Sequence, residues 1–242
     1  MKTYIWTLPT RLFHWLLLLG LVSTYILGET EGSLNLHSSI GYTIGILIIF
    51  RIIWGFFGPK HSHFRDFPIS ISLLKNFAKD MNQSKEASLG HNPLASIVML
   101  GIIIVTLLVV LSGIATLSAD GQGLFSFISF GNNEETFKEI HEVMVNILLF
   151  LTVLHLLGNV VDLITRPQTG TAKSMLHGYK NVKGENVTLN KFQIILATLG
   201  IVAALAIFPY SLKTQQLKDR SEKSEQFENG KDNNNEEDED DD

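Results

Sequence analysis

The sequence predicts an all-α integral membrane protein: a four-helix transmembrane bundle followed by a fifth transmembrane helix. Five apolar stretches are long enough to cross a hydrocarbon core of about 30 Å. Basic residues gather in alternate loops, and four of the eight histidines lie in or at the ends of the apolar stretches. A soluble all-helical core would not bury five such stretches.

The spans are expected over residues 12–28, 38–57, 94–117, 143–165 and 189–209. The first follows Lys2 and Arg11, as a signal peptide would, but Ile26-Leu27-Gly28-Glu29-Thr30 offers no small-x-small cleavage site. The third is the plainest, with no charged residue from Leu94 to Leu117. Orientation follows from the bases. Lys2 and Arg11 precede the first span; Arg51, Lys60, Arg65, Lys75, Lys79 and Lys85 follow the second; Arg166, Lys173, Lys180, Lys183 and Lys191 separate the fourth and fifth. The alternate loops hold only Lys138, so the amino terminus is expected in the cytoplasm of a bacterial inner membrane.

The last 33 residues carry 12 of the 24 acids and 5 of the 19 bases, so the pI of 5.9 describes the tail and not the body. That tail ends in seven consecutive acids and is expected to be disordered on the periplasmic side. The chain thus divides into a bundle over 1–183, a fifth helix over 184–211 and an acidic tail over 212–242. The chain has no cysteine, which excludes disulfides, iron–sulfur clusters, thiolate zinc sites, thiol catalysis and covalently attached haem.

The histidines carry the chemistry. An ionisable side chain in lipid is costly and normally faces a bundle interior. His141 and His155 are 14 residues apart, within roughly 40° of one helix face and about 21 Å apart along it. Topology places His37 at the outer depth of His141 and His14 at the inner depth of His155. Two imidazole pairs stacked across a bundle suit two haem irons. Gly41 and Gly45 follow His37 at helical spacing and either leave room for a flat macrocycle or let helices pack closely. Arg51, on about the face of His37, is expected to meet a propionate of the inner haem or to snorkel. Arg11, one turn before His14, either does the same or anchors the helix end. One mismatch stands: His14 is three residues from Arg11 but His155 is eleven from Arg166, a depth difference of about 12 Å with straight helices. A tilted or protruding fourth helix would remove it.

The chain resembles the prokaryotic cytochrome b561 family, which includes cytochrome b subunits of some hydrogenases. The resemblance is carried by Trp6-Thr7-Leu8-Pro9-Thr10-Arg11-Leu12-Phe13-His14-Trp15, by His37-x3-Gly41-Tyr42 and by Phe50-Arg51-x2-Trp54-Gly55-Phe56-x-Gly58-Pro59. Gly90-His91-Asn92-Pro93 and His141-Glu142-x12-His155 continue it. It implies a four-helix core with two b haems, each using one histidine of the fourth helix, hence His37–His141 and His14–His155. The fifth segment and the acidic tail fall outside that pattern.

Two haems at opposite leaflets make a wire. The expected function is electron exchange between the quinone pool and a periplasmic redox partner such as a cytochrome. Tyr25 is expected to point inward near the outer pair, as a quinone-edge or a core residue. His91 is a candidate propionate partner or helix cap, whereas His61, His63 and His177 are expected to be solvated. The competing readings are a histidine-lined transporter for zinc, nickel or protons, and a membrane anchor subunit of a hydrogenase-type complex or an assembly factor. Asp162 is the one clear acid candidate within a span for the transporter.

Overall fold

The computed structural model describes residues 2–69, 93–128, 133–165 and 167–237. Helix α1 spans Leu8–Gly28, α2 Leu34–Phe57, α3 Pro93–Ala119 and α4 Glu134–Thr165. A short α5, Thr171–His177, precedes the long α6, Lys191–Glu237. Five of these helices are long and apolar enough to cross a membrane. The first and the last start where the sequence supplies a signal. Pro9 lies in the first turn of α1, where its missing N–H costs nothing. Asn190 Oδ1 accepts the Gln193 N–H at 2.9 Å while Gln193 Oε1 accepts that of Asn190 at 3.1 Å, a reciprocal cap opening α6.

Helix α2 is the centre, with α1, α3 and α6 packed on it, while α4 packs mainly on α3. The core joins Phe13 and Leu17 of α1, Ile44, Leu47, Ile48, Phe50 and Trp54 of α2, and Ala197 and Ala204 of α6. The fifth span is therefore part of the same core. A Cβ at Gly200 would overlap the Phe50 ring, so small residues let α6 come close.

Helix α6 does not stop at Pro209, where the sequence placed the end of the fifth span. Proline removes one backbone donor but its fixed φ suits a helix, and membrane helices tolerate it. The helix also enters the region expected to be disordered from residue 212. Gln215, 6% exposed, donates from Nε2 to Ser39 Oγ at 3.0 Å and accepts from Ser38 Oγ at 2.7 Å. Asn35 Nδ2 donates to Asp219 at 2.6 Å, and Lys218 reaches the Gly121 carbonyl. Charge counting missed these contacts because each is polar and local to the start of α2 or the loop after α3.

At the opposite end the chain closes on itself. Strand β1 (Thr3–Tyr4) pairs antiparallel with β2 (Tyr179–Lys180). Gly178 sits at φ 87° beneath Tyr4 and the Trp6 carbonyl, where any side chain would collide. Trp54 Nε1 donates to Thr10 Oγ1 at 3.1 Å, and Thr10 meets Ser62 Oγ at 3.1 Å. Much of the tryptophan- and glycine-rich sequence around Arg51 thus builds this cap, since Gly55 leaves room for the Phe64 ring.

Candidate functional site

Helix α4 carries His141 and His155 and is the least buried of the long helices, with Leu148 its one buried residue among those described. The half-buried positions include His141, Met144, Val145, Leu151, Thr152, His155 and Asn159, a single face at helical spacing. Both histidines therefore share a face, as their separation predicts. That face is not closely packed against α1 or α2, although the partner histidines stand on those helices.

The outer pair is well defined. The ring centres of His37 and His141 are 6.3 Å apart with planes at 71°. Two imidazoles on opposite sides of a metal, with bonds of about 2.0 Å, put ring centres roughly 6 Å apart. His37 Nδ1 lies 2.9 Å from the Thr24 carbonyl, and His141 Nδ1 lies 2.9 Å from the Val109 carbonyl. A carbonyl only accepts, so each Nδ1 carries the proton and each neutral ring keeps Nε2 as its lone-pair nitrogen. This is the outer-shell arrangement that orients a metal-binding histidine. The sequence gave no sign of Thr24 or Val109, because a backbone carbonyl has no residue signature.

The expected inner partners, His14 of α1 and His155 of α4, are both half-buried. His14 Nδ1 and Arg11 Nε, one turn apart, are both buried without a hydrogen-bond partner among the described residues. Orphaned polar atoms of this kind call for an explanation, and a bound anionic group beside His14 would supply one. The fourth helix is long enough for the protrusion that the expected mismatch in depth calls for. With 32 residues α4 is about 48 Å long and overshoots a hydrocarbon core. The chain then returns through residues 167–169 and α5, whose Met175 carbonyl accepts from Trp15 Nε1 at 3.0 Å and whose Leu176 carbonyl accepts from Arg11.

The two glycines after His37 separate. A Cβ at Gly41 would meet nothing within 4 Å, whereas one at Gly45 would lie 3.0 Å from Val110 Cγ1. Gly41 leaves open space beside the outer pair; Gly45 serves α2–α3 packing. Arg51 is 7% exposed, donates to the Ser62 carbonyl at 3.3 Å and lies 5.1 Å from the Phe64 ring centre. It has protein partners in the cap beside β1 and β2. Tyr25 is 51% exposed and does not point into the bundle. His91 lies outside the described residues. His61 is half-buried rather than solvated: burial and Lys60 push its imidazole below the ordinary 6.5, with Asp66 opposing. His63 is half-buried, and the exposed His177 accepts the Tyr179 N–H at 3.1 Å.

Among the described residues no three or more His, Asp or Glu side chains come together as a metal site. Pairs of imidazoles fit a metal whose other ligands come from a macrocycle. In the outer pair, donor type, spacing, proton placement and the space at Gly41 all suit an iron porphyrin.

Comparison with known proteins agrees. The family model of prokaryotic cytochrome b561 matches residues 5–178. The probable Ni/Fe-hydrogenase 1 B-type cytochrome subunits of Escherichia coli strain K12 and of Escherichia coli O157:H7 are each 24% identical over 147 residues. Those residues cover 49% of this chain and 62% of each relative, so the match spans less than two thirds of their length. No solved structure matches. With most of its length matched and five helices long and apolar enough to cross a membrane, the chain belongs to the prokaryotic cytochrome b561 family and is a multi-pass bacterial membrane protein.

Proposed function

We propose that this cytochrome passes electrons between the quinone pool and a periplasmic redox protein, using two b haems within the inner membrane. His37 and His141 hold the outer one and His14 and His155 the inner one. The observation that carries the reading is the outer pair: rings from two helices, 6.3 Å apart, each with Nδ1 committed to a carbonyl. Bound haem supplies reversible one-electron redox chemistry at iron. The chain's residues hold the imidazoles in register, keep water from them with the apolar helices, and set the depth of each pair.

Arg11 fits as the propionate partner at the inner site, through its buried Nε. Arg51 is assigned to the same edge, where it already meets Ser62, the partner of Thr10. The acidic end of α6 lies on the periplasmic face in this reading, and the cap built around β1 and β2 lies in the cytoplasm.

Reduction of the purified protein by a quinol and then oxidation by a periplasmic cytochrome, followed at the Soret band, tests the proposal. Rapid absorbance change with both is expected; failure with quinol and with cytochrome would reject it. A second reading, the haem-bearing anchor of a hydrogenase-type complex, is favoured by the likeness to the hydrogenase cytochrome subunits. It predicts co-purification with a hydrogenase and a hydrogen-dependent Soret change.

A further inference from the structure

We propose that Ser112 is the positioning residue of the outer site, fixing the proton and orientation of the His141 imidazole and so setting the potential of the iron it holds. The inference rests on the outer-pair reading above and deepens it.

Ser112 is buried on α3, and its Oγ lies 3.1 Å from His141 Nδ1. The same hydroxyl donates to the Val109 carbonyl at 3.0 Å. Its hydrogen is thus spent on the carbonyl, so its lone pairs face the His141 N–H. That proton is shared between the Val109 carbonyl, at 2.9 Å, and the Ser112 oxygen. The next residue completes the seat. A Cβ at Gly113 would lie 3.0 Å from His141 Cε1 and 3.2 Å from Nδ1, so the ring rests directly on the α3 backbone.

Sharing the Nδ1 proton with two acceptors makes the imidazole a stronger donor through Nε2. A stronger donor favours the more positive iron and lowers its potential. His37 has only the Thr24 carbonyl in this role. Among the described residues Ser112 is therefore the one side chain that hydrogen-bonds either outer histidine. The inner site is an internal reference, since among the described residues His14 Nδ1 has no partner and Ser112 bonds only Val109 and His141 through its side chain.

Optical redox titration and low-temperature EPR of the haem-loaded protein in detergent test this. The outer component is the one absent from His37→Ala. In Ser112→Ala its midpoint is expected to rise and its low-spin g values to shift, with the inner component unmoved. Ser112→Thr, which keeps the hydroxyl, is expected to restore both. Loss of the outer haem from Ser112→Ala but not from Ser112→Thr supports the same role, whereas loss from both overturns it. So does an outer midpoint that stays, falls, or moves together with the inner one. A parent protein with a single haem would instead remove the two-site reading on which the inference stands.

Discussion

A neutral imidazole has one proton and one lone pair, and whichever nitrogen is tied down decides what the other can do. At His37 and His141 the tie is a backbone carbonyl, so the choice is made by helix packing. The four candidate histidines stood out in the sequence because imidazoles are scarce in lipid-facing sequence, and the structure brings His37 and His141 together. Thr24, Val109, Ser112 and Gly113 could not, since their contributions are carbonyls, a common hydroxyl and a missing Cβ. The two glycines on the His37 face show how far sequence reaches: it offered space or packing for both, and the structure gives one to each. Gly45→Leu is expected to destabilise the fold by about 1–3 kcal/mol through overpacking against Val110. Gly41→Leu is expected to leave thermal stability of the haem-free protein near the parent value while reducing outer haem content. Thermal unfolding and haem quantification of both variants check this, and a Gly45-like stability loss at Gly41 would count against it.

At the scale of elements, the sequence marked five spans and the cap residues, but helix ends were less legible. Pro9 and the Asn190–Gln193 pair announce helix starts through capping chemistry. Pro209 seemed to announce an end, yet α6 runs through it because Gln215, Lys218 and Asp219 all find partners beyond. Those partners lie on α2 and the loop after α3, too distant in sequence for composition to disclose. The fifth helix is thereby fastened at both ends, by Gln193 to the Phe57 carbonyl and by Gln215 to Ser38 and Ser39. Gln215→Leu removes the side-chain hydrogen bonds to Ser38, Ser39 and the Ser211 carbonyl from a buried cluster and is expected to cost about 1–3 kcal/mol. Heat or denaturant scans of the purified protein measure the loss. Stability equal to the parent would mean that the outer contact is incidental.

For the whole molecule, the arrangement is a rigid trio of α1, α2 and α6 with α3 on its side, and α4 held mainly by α3. That leaves the histidine face of α4 opposite α1 and α2 without close helix packing, which is the place a flat cofactor occupies in the proposed function. The length of α4 and the return through α5 to Arg11 and Trp15 fit the protruding fourth helix that the paired-histidine reading requires. Membership in the prokaryotic cytochrome b561 family accounts for residues 5–178, and α6 extends the core beyond that match. The central claim is that four histidines hold two haems in two separate pairs. Haem-to-protein ratio in the parent and in single His→Ala variants at 14, 37, 141 and 155 tests it most directly. Two haems in the parent and one in each variant are predicted, with His37→Ala and His141→Ala sharing one residual spectrum and His14→Ala and His155→Ala the other. Unchanged haem content in any of the four variants would contradict it.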